Sequence, residues 1–310
     1  MIASVNKQGQ DFIDIADLDA EELRQLVELA RAIKSGRWSD RPLEGRHVAM
    51  LFQKPSHRTR VSFEVGIARL GGTTTTLSEQ DVQLGVRETV ADAARVLDRY
   101  VDGVVARLRS HADLLELAAA SNKPVINGLT DRSHPCQVLA DLVTLEEVRG
   151  DLGRQHVVYV GDGNNVAASL IEASALAGFR LTVVSPPGYE PKPDVVERAR
   201  SISSGRLQVE LTSTLAGFDD ATAVYTDVWA SMGQESERDE RRRAFAPYQV
   251  NRSVMDSAPD AVFLHCLPAH RGEEVTDEVI DGPRSAVFDQ AENRLYAQMA
   301  IMAELFGTER

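Results

Sequence analysis

Ser56-His57-Arg58-Thr59-Arg60 puts two hydroxyls, an imidazole and two guanidiniums into five residues, directly after an apolar run and at the start of a helical pattern. A strand-to-helix turn offers free backbone N–H groups and the positive end of a helix dipole, which suits a phosphate. Ser56 and Thr59 can donate hydroxyl hydrogens, and Arg58 can chelate phosphate oxygens in bidentate fashion. The plainer alternative is a polar helix cap with solvated arginines. Arg107 follows a second apolar run, and His134-Pro135-Cys136-Gln137 comes after a third. Both can converge with the first turn if the three runs are strands of one parallel sheet, where ligands bind beyond the carboxyl ends. Taken singly, Arg107 is an ordinary ion-pair partner and His134 an ordinary helix cap.

A second set lies further along. Gly161-Asp162-Gly163-Asn164-Asn165 follows an apolar run and opens a helical pattern, yet Val166 stands where a dinucleotide fingerprint needs its third glycine. The next run closes on Ser185-Pro186-Pro187 rather than on an acidic residue. Both points argue against a nicotinamide site, which would make the chain an oxidoreductase. Asn164 and Asn165 are left as amide donors and acceptors suited to an amino-acid ligand. Asp227, in Asp227-Val228-Trp229-Ala230-Ser231-Met232-Gly233, supplies a carboxylate for an ammonium group, and His265-Cys266-Leu267-Pro268 follows another apolar run. Each of these last two also reads as a polar loop closing a strand. Neither a P-loop nor a Gly-x-Ser-x-Gly elbow is present in the sequence.

The elements that must position these residues alternate. Strand patterns fall at 47–53, 73–77, 103–106 and 124–127, with helical patterns at 61–70, 88–101, 113–120 and 137–148. In the second of those helices Val90, Ala94, Leu97 and Val101 share a face. Gly150 to Gly153 reads as a break. Strands then follow at 156–160, 181–185, 207–211, 223–227, 261–265 and 286–288, with helices at 165–176 and 292–305. The expected fold is α/β: two doubly wound domains, each a mainly parallel sheet flanked by helices. Residues 1–149, joined by a C-terminal helix at 290–310, would form one domain and residues 150–289 the other.

With 310 residues, there is enough chain for two cores. A net charge of -13 argues against nucleic acid or an anionic membrane surface as partner, so any anionic substrate needs a local cationic pocket. No stretch approaches the roughly 18 apolar residues of a membrane helix, and residues 1–20 carry four aspartates and no long apolar run, unlike a secretory leader. A cytoplasmic location is expected. Two cysteines, Cys136 and Cys266, read as free thiols of a reducing compartment. Their histidine neighbours lack zinc-finger spacing, so no metal is expected.

These motifs have a counterpart. Ser56-His57-Arg58-Thr59-Arg60 resembles the Ser-x-Arg-Thr-Arg signature of the carbamoyltransferases, and His134-Pro135-Cys136-Gln137 with Val138-Leu139-Ala140-Asp141 resembles their second signature. Asp227 with Ser231-Met232-Gly233, and His265-Cys266-Leu267-Pro268, are similar to the ornithine-specific members, whereas aspartate-specific ones typically carry Pro-Leu-Pro at the latter place. The resemblance covers nearly the whole chain. It implies an active site in the cleft between the domains and no cofactor. Ser56, His57, Arg58 and Thr59 would hold the phosphate of carbamoyl phosphate. Arg107, His134, Pro135, Cys136 and Gln137 would surround the carbamoyl end, with Cys266, Leu267 and Arg294. Asn165, Asp227, Ser231 and Met232 would bind ornithine, and Arg107, His134 and Cys266 would be the catalytic groups. Gln83 matches a residue that reaches the donor of a neighbouring subunit, implying a homotrimer or a multiple of one, with active sites at subunit interfaces. The product would be citrulline, with arginine biosynthesis favoured over breakdown. Putrescine, aspartate or an acylated ornithine are the alternative acceptors. His57 is a departure, since threonine is common there in ornithine enzymes. If it faces the phosphate, it adds a titratable contact.

Overall fold

Val48-Ala49-Met50-Leu51 has no polar side chain to show to water, so it forms a strand only where helices cover both faces of its sheet. The computed structural model describes residues 11–82, 84–230 and 237–307, and its internal contacts divide the chain into two compact units. Met1–Ala140 with Asn293–Arg310 make up the first and Asp141–Glu292 the second.

The first unit carries β1 (His47–Phe52), β2 (Thr73–Ser78), β3 (Gly103–Arg107) and β4 (Val125–Leu129), all parallel, in the order β2-β1-β3-β4. β3 and β4 are buried throughout, and β1 nearly so. The threonine-rich β2 lies at the edge, where β-branched residues keep an extended backbone while facing solvent. Helices His57–Arg69, Val90–Leu97 and His111–Ala120 make the crossovers that parallel pairing demands. The strand order reverses on either side of β1. β2 lies to one side and β3 to the other, so the β1 and β3 ends flank a switch point, where such sheets bind ligands. Phe52 pairs with Arg107, the last residues of β1 and β3, and the β3–β4 register shifts between Ala106 and Arg107. Such an irregularity re-aims the side chain that follows it.

The second unit has β5 (His156–Val160), β6 (Arg180–Val184), β7 (Val209–Thr212), β8 (Ala223–Thr226) and β9 (Val262–His265), again all parallel, ordered β7-β6-β5-β8-β9. Its switch point lies between β5 and β8. The helix Asn165–Ala177 is apolar on nearly all sides and buried from Val166 to Ala175, and it ends on Gly178 at φ +79, a left-handed cap. Apolar side chains of β5, β8 and β9 make a core with Phe218, Tyr248, Met255 and Val287.

The alternating elements agree with the sequence reading, with one correction. Residues 286–288 form no strand; Val287 begins the helix Val287–Gly307. Three apolar residues cannot separate a strand from a helix start, and here Val287 is buried while its neighbour Phe288 is 67% exposed. The sequence reading did not include the helix Ala20–Lys34, which starts on a capping box: the Asp19 and Glu22 side chains each accept from the other's backbone N–H at 2.8 Å.

Gly163 has a steric role: a Cβ there would lie 2.2 Å from the backbone nitrogen of Pro191. We therefore expect Gly163→Ala to cost about 3 kcal/mol or more, against about 1 kcal/mol for Gly178→Ala, where only the left-handed backbone is strained. Urea denaturation of both variants checks this, and equal losses would contradict the close approach.

Candidate active site

Ser56 is the N-cap of His57–Arg69, with an extended backbone, and its Oγ accepts from the Thr59 N–H at 3.4 Å and shares a 3.1 Å hydrogen bond with Thr59 Oγ1. The cap fixes the first turn, whose N–H groups have no intrahelical acceptor. Thr59 is fully buried and becomes a hub. Its hydroxyl oxygen accepts from Arg107 Nη1 at 3.3 Å and from Arg294 Nη2 at 2.9 Å, while Arg294 Nη1 donates to Gln137 Oε1 at 3.1 Å. Three segments thus meet at one hydroxyl, the first helix turn, the end of β3 and the helix Val287–Gly307, and Arg294 ties in the helix Pro135–Arg149 through Gln137.

His134 stands just before Pro135–Arg149, and its carbonyl accepts from the N–H groups of Gln137 and Val138. Burial, and then the nearby charges of Arg294, Arg107 and Arg58, hold its imidazole well below the usual histidine range. The ring is therefore neutral at physiological pH, able to donate one hydrogen bond but not to act as a cation. Three guanidiniums whose charges reach a neutral imidazole make a locally cationic cluster in a chain whose net charge is -13.

Not every residue of the two signatures enters this cluster. His57 is exposed on the first helical residue, and Arg60 pairs with Glu64 at 2.8 Å on the helix surface. Cys136 buries its thiol, which donates to the Asn127 carbonyl at 3.2 Å and is pushed up to about 12 by burial. It is a protonated structural group. Pro135 supplies the first helical residue, where its missing N–H costs nothing. Gln83 lies outside the described residues.

In the second unit Asp227, directly after β8, is the centre. Its Oδ1 accepts from its neighbour's Val228 N–H at 2.8 Å and from Cys266 Sγ at 3.0 Å, and its Oδ2 accepts from Asn164 Nδ2 at 2.8 Å. Asn164 follows β5, so the two strand ends at the switch point are tied through these side chains. Asn165 is the first residue of its helix and partly exposed. Ser231 and Met232 lie outside the described residues. At the end of β9, His265 is buried with both ring nitrogens engaged, Nδ1 by the Leu267 N–H and Nε2 by Glu274. Gln290 joins the His265 N–H to Asp141, so this strand end is pinned from below. Leu267 takes φ +57, an uncommon conformation for leucine, before a cis Leu267–Pro268 bond.

Gly163 packs under the Glu190–Pro191 backbone, and Asp162 is bound to the buried Arg241 at 2.9 Å. Among the described residues two groups bring metal-ligand types together: Asp227, His265 and Cys266, and His270, Glu273 and Glu274. In the first, the hydrogen bonds above already occupy the imidazole and link the thiol to the carboxylate.

Sequence reading missed the hub. Thr59 and Arg294 are 235 residues apart, and nothing local joins them. It also took Asn164 for a ligand-binding amide, where the structure makes it the helix cap and the partner of Asp227. The signal was available: asparagine directly before a helix is a preferred N-cap.

Residues 10–147 match the family profile described as aspartate/ornithine carbamoyltransferase, carbamoyl-P binding domain, and residues 154–305 match that of the Asp/Orn binding domain. The chain belongs to this family. An ornithine carbamoyltransferase of Thermococcus kodakarensis is 51% identical over 310 residues, covering 98% of both chains. The solved ornithine carbamoyltransferase of Pyrococcus furiosus superposes with a TM-score of 0.94 at 50% identity, covering 100% of both. An anabolic ornithine carbamoyltransferase from Campylobacter jejuni gives a TM-score of 0.91 at 35% identity, over 97% of this chain and 100% of that one.

The buried, neutral His134 of this family member carries a pH signature. Its pKa is depressed on folding, so below the unfolded value of about 6.5 the unfolded chain binds a proton that the native site refuses. Stability should fall as pH drops below about 6.5, with a slope of up to about 1.4 kcal/mol per pH unit from this group. His134→Gln should flatten the curve between pH 6.5 and 5. Urea titrations across that range measure it, and an unchanged slope would mean that His134 titrates normally.

Proposed function

We propose that this chain is an ornithine carbamoyltransferase, converting carbamoyl phosphate and L-ornithine to L-citrulline and phosphate. The observation that carries the reading is the gathering of Arg58, Arg107 and Arg294 about a neutral His134 beside a capped helix N-terminus. That chemistry fits a phosphorylated carbonyl compound. The phosphate needs charge neutralisation, which Ser56, Arg58, Thr59 and the helix N–H groups offer, with His57 at the rim. The carbonyl oxygen needs donors that strengthen their hold as it becomes an oxyanion, a role for Arg107 and His134. Pro135, Cys136, Gln137 and Arg294 frame the carbamoyl end, and Cys266 and Leu267 are further donor-binding groups in this reading.

The acceptor side is acidic and amide-rich, as a cationic amino acid requires. Asp227 and Asn165, with Ser231 and Met232, are the ornithine-binding groups in this reading. The neutral side-chain amine attacks the carbonyl carbon, the tetrahedral oxyanion is stabilised, the C–O bond to phosphate breaks, and the leaving phosphate accepts the amine's proton. Cys266 acts as a thiol donor to Asp227 rather than as a nucleophile, so transfer is direct. Biosynthetic use is supported by relatives described as anabolic, among them one from Pyrococcus furiosus at 51% identity. Among the described residues no helix is long and apolar enough to cross a membrane, and we take the chain to work in the cytoplasm. It would do so as a homotrimer, or a multiple of one, with Gln83 completing a neighbour's site.

Incubation with carbamoyl phosphate and a panel of ornithine, putrescine, aspartate and acetylornithine should yield a carbamoylated product from ornithine. Faster turnover of another acceptor would overturn the assignment. Arg107→Ala should lower kcat by about two to three orders of magnitude, the effect of losing one oxyanion donor. Initial-rate plots should intersect; parallel lines would revive a carbamoyl-cysteine. Sedimentation velocity should give a trimer or a multiple, and a monomer would remove the shared-site part of the proposal.

A further inference from the structure

Asn164 carries more than a helix. Its Oδ1 accepts from the N–H groups of Val166 at 2.9 Å and Ala167 at 3.1 Å, and from the Tyr159 hydroxyl at 3.2 Å. Backbone N–H groups can only donate, so this end of the amide must be the oxygen. The side chain cannot flip. Its nitrogen is thereby committed to the opposite direction, where it meets Asp227 Oδ2 at 2.8 Å.

Asp227 is then held by three donors. An ionised carboxylate has about four acceptor positions, and Val228 N–H, Cys266 Sγ and Asn164 Nδ2 take three of them. Oδ1 carries two of these bonds and Oδ2 carries one. The open position is on the oxygen that Asn164 orients. We propose that Asn164 is a positioning residue for the acceptor amino acid: its locked amide sets the rotamer of Asp227 and aims the remaining Oδ2 lone pair at the substrate's ammonium group. Tyr159, buried behind it, is the outer end of the same relay, donating to the amide oxygen that the backbone N–H groups already fix.

The inference rests on the transfer reading, and Asn164→Asp separates it from a simple capping role. Aspartate caps a helix as well as asparagine does, so a cap alone predicts little change. The variant instead sets a second carboxylate against Asp227, and two such groups in contact hold a proton between them. The acidic limb of kcat/KM for the acceptor should move up by about one pH unit or more. KM for ornithine should rise roughly tenfold, the order expected for loss of one charge-assisted bond, while KM for carbamoyl phosphate stays put. Asn164→Ser, also a good cap but too short to reach Asp227, should raise KM for ornithine without moving the limb, and carries the test if the aspartate variant does not fold. Unchanged ornithine KM in both variants, or equal changes in both KM values, overturns the proposal while wild-type turnover stands. Wild-type chain that leaves ornithine untouched instead sinks the parent reading, and this one with it.

Discussion

Guanidinium groups brought together out of water repel one another, and Arg58, Arg107 and Arg294 are held near one buried imidazole in a chain whose overall charge is -13. Such a cluster survives only if the surrounding structure over-determines it. The Thr59 hydroxyl and the Gln137 amide give Arg107 and Arg294 fixed acceptors, and each acceptor is itself held by a helix. Preorganisation of this kind needs no rearrangement at the moment charge develops on a substrate oxygen.

The neutrality of His134 follows from its burial first and from the same field second. A cationic imidazole among three arginines would add to the repulsion, so the ring gives up its charge and keeps its hydrogen-bonding capacity. In the second unit the problem is inverted. Around Asp227 three hydrogen-bond donors gather instead of three like charges. The two units thus use one architecture, a parallel sheet with a switch point, to build side-chain clusters of opposite sign. What differs is the residue type placed immediately after each strand.

Most of the fold was legible because its strands, the edge strands β2 and β7 apart, are buried on both faces and read as continuous apolar runs, punctuated by glycine, proline and helix caps. The exception, residues 286–288, is a place where three apolar residues carry no period at all. The candidate site was legible in part. Arg107 ends β3, Asp227 directly follows β8, and Ser56, Arg58, Thr59 and His134 lie a few residues beyond a strand; strand ends are where an open parallel sheet binds ligands. Arg294 entered only through resemblance, since it lies mid-helix with no local mark of its role. Asn164 was noticed, but its partner was not, because an amide's orientation depends on donors that only a folded helix terminus presents.

By itself, then, the amino-acid order determined which segments are strands and which are helices, and which chemically able side chains sit at their junctions. It did so because apolar periodicity and capping chemistry act over a few residues. Strand order was decided only by the tertiary structure: whether β3 pairs with β1, or β8 with β5, depends on packing across the whole sheet and leaves no local trace. That pairing sets Arg107 beside the Ser56 turn and Asp227 beside Asn164, and so turns polar strand ends into sites.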